Sequence, residues 1–346
     1  MVKAIGRTIG GLFVATLFIA IILYFGNVQQ GAEKSEVEVS AGSVCVGSVS
    51  VTDDSFREVM QETAAEIAYI KSLPVEKEVI LCGQAMLNSV KEIDLNEVQI
   101  DDLALLKEEL AQFYQLKRVE MCNTNLTDEE MDSLCKMFPE TKFVWVVHCG
   151  SFAIRTDAVA FSTMFTGYGW DPMTEADFEP LKYCTDLEAL DIGHHSIRDL
   201  SFLKDLKKMK ILIIAINRYS DITPLTELKN ITYLELFLND IQDLSPLEGL
   251  VNIEHLNLCH NKNLGEIDPI LHYTNLKRLW ISYCNLTGEE IATIKETYPD
   301  AQLEFDVYES VEAGWRSTEV YTRMRDVFNH NQMDEMFLPK VQYFEE

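Results

Sequence analysis

The sequence predicts an α/β solenoid, in which parallel strands line a concave face and short turns, 3₁₀ segments or helices form the convex face. The first observation is an internal period. Similar segments begin at Leu187, Met209, Ile231, Ile253 and Leu276, so the steps are 22, 22, 22 and 23 residues. The second is an apolar pattern, at repeat positions one, four, six, eleven, fourteen, seventeen and twenty. The third is an asparagine at position nine, which occurs as Asn217, Asn239 and Asn261.

Each repeat is expected to form one strand and one return segment. A short strand turns alternate residues such as Leu234 and Leu236 inward, and the return segment brings Leu244 and Leu247 back to the same core. One unit cannot bury its apolar side alone, so stacked copies share a continuous core, and a buried asparagine at position nine bonds the backbone of the turns. This pattern matches the leucine-rich repeat.

The two ends of the regular array replace the asparagine. His195 and Cys284 stand at position nine there, and Cys184 falls at position twenty of a degenerate preceding repeat. We therefore expect Cys184 and Cys284 to be buried structural residues, not reactive thiols.

The return segments contain proline. In Thr223-Pro224-Leu225 and Ser245-Pro246-Leu247, proline lacks a backbone donor and disfavours helix at the residue before it, which predicts short turns or 3₁₀ segments. In a 22-residue frame, "DITPL" and "DLSPL" resemble the internalin-type leucine-rich repeats of Gram-positive bacterial surface proteins, from residue 177 to about residue 306. The resemblance implies adhesion or recognition of a protein or peptide. The sequence lacks an LPxTG-type sorting signal, so covalent attachment to a cell wall is not expected.

Two stretches repeat each other, "NLTDEEMDSLCKMFPETKFVW" at 125–145 and "NLTGEEIATIKETYPDAQLEF" at 285–305. Each predicts an amphipathic helix, which ends at Phe138-Pro139 or Tyr298-Pro299, followed by a strand. The chain is therefore expected to contain two fused repeat blocks. Residues 53–150 would form a capping helix, which begins after Ser55, and degenerate repeats. Residues 151–306 would form the main solenoid. Residues 307–346 are expected to form a C-terminal cap that docks on the last repeat.

The N-terminal segment differs from the rest of the chain. The uncharged residues 9–25 would form a helix about 25 Å long, at the short end of what spans a bilayer. Lys3 and Arg7 precede it and acidic residues follow, so an uncleaved single-pass anchor would leave residues 1–8 in the cytoplasm and the C-terminal domain outside the cell. A cleaved signal peptide and a buried helix are the alternatives. Residues 26–52 are expected to be a stalk, or an added strand because valines alternate in "VCVGSVSV".

The composition and net charge exclude some classes of function. The formal net charge of −27 argues against nucleic acid as a partner, because nucleic-acid binding requires clustered lysine and arginine. Eight cysteines show no CxxC pair and no metal-ligand spacing, so no metal or cofactor is expected, although the even count permits disulfides outside the cell.

The concave face is the candidate binding site. Side chains at positions three, five, seven and eight of successive repeats should point away from the core, and they form an apolar and aromatic patch with a polar border. Exposed patches of this kind mark partner surfaces. The alternative is that the chain covers this patch itself or dimerises through it. The predicted partner-binding residues are Ile211, Ile213, Ile216, Tyr233, Glu235, Phe237, Leu238, His255, His260, Arg278, Trp280 and Tyr283.

Three function classes follow from these observations. The first is a non-catalytic, membrane-anchored extracellular protein that binds a protein or peptide through its concave face. The second is a structural or regulatory subunit of a membrane protein complex. The third is an enzyme that uses His255, Cys259 and His260, but no orienting group or oxyanion donor for such a site can be identified in the sequence.

Overall fold

The computed structural model describes residues 37–40, 43–46, 74–163, 172–308 and 310–333. The chain divides into two compact units, Met1–Val75 and Glu76–Glu346. In the first unit, Val37–Ser40 (β1) and Ser43–Val46 (β2) form an antiparallel hairpin, within the segment predicted to be a stalk or an added strand. The predicted anchor at 9–25 and the predicted capping helix after Ser55 lie outside the described residues. In the part of the chain that is described, no helix has the length and apolar character needed to cross a membrane.

The centre of the second unit is a seven-stranded parallel sheet, with neighbouring strands in chain order. Each strand contributes three residues, and the register advances by one repeat, so that Leu190 lies beside Leu212 and Leu212 beside Leu234. The strands are Ala160–Ser162 (β10), Ala189–Asp191 (β11), Ile211–Ile213 (β12), Tyr233–Glu235 (β13), His255–Asn257 (β14), Arg278–Trp280 (β15) and Gln302–Glu304 (β16).

Short 3₁₀ turns form the convex side, as the proline pattern predicted. They span Glu179–Tyr183, Ser201–Leu203, Thr223–Leu225, Ser245–Leu247 and Asp268–Ile270. An aspartate two residues before three of these turns accepts a hydrogen bond from the first backbone N–H, as from Thr223 to Asp221 at 2.8 Å. This bond satisfies a donor that the turn itself leaves free.

The position-nine asparagines form a buried ladder between the coils. Asn239 Oδ1 accepts the backbone N–H of Asn217 at 3.1 Å, and its Nδ2 donates to the carbonyl of Leu236 at 3.0 Å and to the hydroxyl of Tyr219 at 2.8 Å. Asn217 and Asn261 make equivalent bonds. The expected role of these asparagines is confirmed.

The residues that replace asparagine at position nine are also buried. His195 accepts the backbone N–H of Met173 at 3.1 Å through Nδ1, and its Nε2 lies 2.7 Å from Thr163 Oγ1. Burial lowers the pKa of His195 to about 4. Cys284 Sγ lies 3.1 Å from the carbonyl of Leu258, and burial raises its pKa to about 12. Cys184 is buried as well, so both thiols are structural.

An N-terminal block precedes the main sheet. It contains a second parallel sheet of three strands, with one antiparallel hairpin before it and one after it in the chain. The predicted boundary at residue 150 falls in the turn of the second hairpin. The strands are Glu78–Leu81 (β3), Gln84–Leu87 (β4), Glu92–Asp94 (β5), Arg118–Glu120 (β6), Lys142–Val144 (β7), Val146–Cys149 (β8) and Phe152–Arg155 (β9), and the first helix is Leu103–Leu110 (α1).

The two related sequence stretches form the same helix-and-strand unit. Asp128–Met137 (α2) precedes β7, and Gly288–Thr297 (α4) precedes β16, while the short helix Glu175–Phe178 (α3) lies between them in the chain. Both longer helices begin with a capping box, made by Thr127 with Glu130 and by Thr287 with Glu290. The prediction of helices that end at residues 138 and 298 is confirmed.

Candidate functional site

The concave face of the main sheet is covered by the C-terminal part of the chain. We call residues 307–308 and 310–333 the strap. The strap contains a helix, Glu319–Met333 (α5), whose Met324 and Phe328 are buried against the concave face together with Trp315. The helix α5 packs against β10, the first strand of the main sheet. The expectation that the C-terminal cap docks on the last repeat is therefore wrong for this helix, because the strap crosses the sheet from its last strands back to its first.

The path of the strap is set by contacts with successive strands. Val307 donates its backbone N–H to Ser282 Oγ at 3.0 Å, and Asn257 Nδ2 donates to Ser310 Oγ at 3.2 Å. Further along, Arg325 forms an ion pair with Asp191 of β11 at 2.8 Å.

Trp315 anchors the strap in the middle of the sheet. Its indole is fully buried, with ring centroids 5.5 Å from Tyr233 and 5.4 Å from Trp280. The indole N–H donates to Glu235 Oε2 at 3.0 Å, and Arg316 donates to Glu235 Oε1 at 2.6 Å. The buried Glu235 carboxylate is thus held by two strap residues.

Most of the predicted binding residues lie beneath the strap. Eight of the twelve are buried, so the expectation that they form an exposed patch is wrong, and the alternative that the chain covers its own concave face describes the structure. Their role in binding a partner stays a prediction. The eight are Ile211, Ile213, Tyr233, Glu235, Phe237, His255, Arg278 and Trp280.

The other four predicted residues, Ile216, Leu238, His260 and Tyr283, occupy position eight of successive repeats and remain accessible. Their φ angles lie between +53° and +65°, in the left-handed region that is costly for side chains without a short polar group. Leu238 is 39% exposed and Tyr283 is 46% exposed.

An aromatic stack extends this accessible row. The His260 and Tyr283 rings stack at 4.8 Å with an interplanar angle of 7°, and Tyr308 of the strap meets both edge-on. Tyr308 is 65% exposed. We call Ile216, Leu238, His260, Tyr283 and Tyr308 the rim.

Several polar atoms beneath the strap have no hydrogen-bond partner. They are Asp191 Oδ1, His255 Nδ1, Arg278 Nε and Nη1, and Trp280 Nε1. Burial raises the pKa of Asp191 to about 6 despite Arg316 and Arg325 nearby, and burial lowers the pKa of His255 to about 4, with Arg278 adding to the effect. Burial also lowers the pKa of Arg278.

The thiol of Cys259, on this face, is buried and hydrogen-bonded. Cys259 Sγ accepts the backbone N–H of Ser282 at 3.3 Å, and burial raises its pKa to about 11, so the thiol is protonated at neutral pH. Across the described ranges, no three histidine, cysteine or acidic side chains are grouped to hold a metal ion. The seven cysteines with described side chains are all unpaired.

Comparisons with known proteins agree with the repeat fold. A family model described as Leucine Rich Repeat matches residues 275–296. No curated protein matches the chain. A solved internalin (inlF) from Listeria monocytogenes has 22% identity and a TM-score of 0.36, with 62% of this chain and 52% of that chain covered. This chain therefore spans about half the length of that internalin.

Two further solved structures are similar at low identity. An internalin C2 from Listeria monocytogenes has 22% identity and a TM-score of 0.32, with 56% of this chain and 77% of that chain covered. The plant peptide hormone receptor RGFR1, solved in complex with RGF2, has 14% identity and a TM-score of 0.27, with 63% and 35% covered. At these identities and TM-scores, nothing about this protein's function follows from the comparisons. The chain is a leucine-rich repeat solenoid with a seven-stranded parallel sheet and a structural similarity, at low identity, to Listeria internalins.

Proposed function

We propose that this protein is a non-catalytic recognition protein that binds a protein or peptide partner on the concave side of its repeats. The anchor expected at residues 9–25 would hold it to a cell membrane, with the repeats outside the cell. A leucine-rich repeat domain suggests protein binding as the class of function.

The observation that carries the proposal is the rim. Leu238 and Tyr283 hold apolar side chains in left-handed backbone, where asparagine or glycine would be less strained, and both side chains are exposed. Strained conformations of this kind concentrate at binding sites. Exposed aromatic residues also contribute strongly to binding energy. A partner can reach the rim while the strap stays in place.

The test exploits the backbone of the rim. Asparagine tolerates left-handed backbone, so Leu238→Asn with Tyr283→Asn removes two apolar side chains at little cost in stability. Val251→Asn is the matched control, because Val251 is 47% exposed and lies in the turn between Ser245–Leu247 and β14, away from the rim in sequence. Full-length wild-type, rim and control proteins, solubilised in mild detergent, serve as baits in extracts of the source cells and in their medium.

The proposal expects a protein or peptide that is captured by the wild type and the control but at least about tenfold less by the rim variant. Equal capture by all three baits would contradict a role for the rim. A partner that copurifies in fixed stoichiometry and leaves only with precipitation of the chain would favour the alternative, a permanent subunit of a membrane complex.

The proposed location has its own test. Protease added to intact source cells should digest the repeat domain, because it would lie outside the membrane. Digestion that begins only after the cells are broken would refute an extracellular location.

A further inference from the structure

We call the side chains of β13–β15 that face the strap the floor of the concave face. The floor contains a buried cation, Arg278, that pairs with no carboxylate of the described residues. Arg278 of β15 is only 5% exposed. Among the described residues its guanidinium makes one hydrogen bond, from Nη2 to the backbone carbonyl of Trp315 at 2.7 Å, and its central carbon lies 4.0 Å from the centroid of the Trp315 ring. Its Nε and Nη1 are buried and have no partner. In the described part of the chain, Arg278 forms no ion pair. A buried charge of this kind is costly unless an anion pairs with it.

Two neighbours add polar atoms to the same place. His255 lies beside Arg278 in the strand register, and Trp280 follows Arg278 by two residues, so all three side chains lie on one face of the sheet. His255 Nδ1 and Trp280 Nε1 are also buried without a partner. Glu235 differs, since Trp315 and Arg316 both donate to its carboxylate. The strap therefore gives the acidic Glu235 two donors, whereas it gives the guanidinium of Arg278 one carbonyl and the face of one ring but no anion.

The ligand that would complete the site follows from the position of Trp315. Its indole fills the space between Tyr233 and Trp280, and its backbone carbonyl already contacts Arg278. A chain that ended at this residue would present two oxygens and a negative charge in place of one neutral carbonyl. A carboxylate can accept two parallel bonds from a guanidinium, so it could use the N–H groups that are now free.

We propose that Arg278 is a recognition site for the C-terminal carboxylate of a partner polypeptide that ends in an aromatic residue. The partner's last residue takes the place of Trp315, and the strap is displaced when the partner binds. This inference rests on the proposed function, because it names the chemistry of a peptide partner on the concave side.

The test uses peptides that copy the strap. Residues 310–315, Ser-Val-Glu-Ala-Gly-Trp, are synthesised with a free carboxylate or with a C-terminal amide. A third peptide is amidated and carries an additional aspartate after the tryptophan, so that its carboxylate belongs to a side chain. Each peptide carries a fluorophore at its N-terminus for anisotropy measurements.

The protein in this test is the full chain with Trp315→Ala and Arg316→Ala, which removes the strap's own anchor. The same chain with Arg278→Gln is the comparison, because glutamine retains a donor but no charge. Circular dichroism and hydrogen exchange of β12–β14 are measured for both variants, and only proteins with an intact sheet are compared.

The free-acid peptide should bind about tenfold or more tightly than the amide, and Arg278→Gln should abolish this preference. The net charge of −27 repels anions in general, so a preference for the acid cannot come from nonspecific attraction. Equal affinities for acid and amide, a preference that survives Arg278→Gln, or binding of neither peptide would overturn the inference. Equal binding of the aspartate peptide and the free acid would overturn the assignment to a chain end.

The two proposals fail in different ways. If the acid and amide bind equally while rim substitutions still reduce partner capture, the recognition function stands and the carboxylate site does not. If the rim substitutions change nothing but the acid preference is present, the partner uses the floor and not the rim.

Discussion

Replacement of Trp315 by alanine should release the strap from the concave face while the repeats stay folded. Trp315 is fully buried among Tyr233, Trp280 and the guanidinium of Arg278, whose central carbon lies 4.0 Å from the ring centroid. A tryptophan buries about 150–250 Å², which corresponds to roughly 4–6 kcal/mol at 25 cal/mol per Å². Measured truncations of buried aromatic residues cost about 3–5 kcal/mol, so a loss of about 4 kcal/mol is expected.

The loss of stability in Trp315→Ala should be confined to the strap and should not affect the core of the repeats. The core beneath the sheet is a separate cluster that includes Leu212, Leu234 and Leu256 and does not contain Trp315. A loss of about 4 kcal/mol raises the open fraction of the strap about a thousandfold. Native-state hydrogen exchange of α5 measures this opening directly.

The matched control is Val320→Ala, because Val320 lies at the start of the same helix and is 40% exposed. It should change the exchange of α5 by less than tenfold. Unchanged protection of α5 in Trp315→Ala would refute the reasoning, and so would an equal loss of protection in β12–β14, since the repeats would then depend on the strap.

Two further predictions concern the repeats themselves. Because burial lowers the folded-state pKa of His195 and His255 to about 4, their contribution to stability is present above about pH 6.5 and is lost as the pH falls toward 4, by at most about 3 kcal/mol each. The pKa of Asp191, raised to about 6, makes stability change in the opposite direction as the pH falls. Urea unfolding of the wild type and of His195→Asn is therefore measured at pH 7 and at pH 4.5, so that the difference between the two proteins reports on His195 alone. The variant should lose less stability on acidification, and parallel losses would contradict the assignment. Asn239→Ala should reduce the free energy of unfolding by about 3 kcal/mol, since it leaves several buried backbone groups unpaired, whereas Asn252→Ala, at an exposed site with one bond, should have little effect. Equal losses of stability in the two variants would contradict the stabilising role of the buried asparagine ladder.

The repeats were predictable because their determinants are local and periodic. Position-nine asparagines, proline in the return segments and the alternation of leucines each specify a feature within one repeat, and stacking then follows. The helices after Thr127 and Thr287 were predictable for the same reason, since a capping box lies within four residues.

The cover of the concave face was harder to predict because it depends on contacts between distant parts of the chain. Arg325 and Asp191 are 134 residues apart, and no pattern within one repeat encodes their pairing. A signal was present at position five of the repeat, which is acidic in two repeats, at Asp191 and Glu235, although apolar residues surround it. Asp191 pairs with Arg325, Glu235 with Arg316 and, in the N-terminal block, Glu120 with Arg155. A buried acid needs a cation, and the cations that pair with Asp191 and Glu235 both come from the strap. Glu120 is only partly buried, and it also pairs with Arg118 of its own strand.

The rim illustrates a different difficulty. The sequence placed Leu238 and Tyr283 on the same face as Tyr233 and Trp280, and it could not separate the covered residues from the accessible ones. The separation arises because position eight lies beyond the strand, in left-handed backbone, while positions three and five lie in the strand beneath the strap.

A double-mutant cycle between Arg316 and Glu235 tests most directly whether the strap closes over the concave face. Arg316→Ala, Glu235→Gln and the double variant are compared with the wild type by the free energy of α5 opening in hydrogen exchange. The two side chains are 81 residues apart in sequence and form an ion pair at 2.6 Å in which Glu235 is fully buried. A closed strap predicts a coupling energy of about 1.5 kcal/mol or more. A coupling below about 0.3 kcal/mol would mean that the two residues do not meet and that the concave face is open.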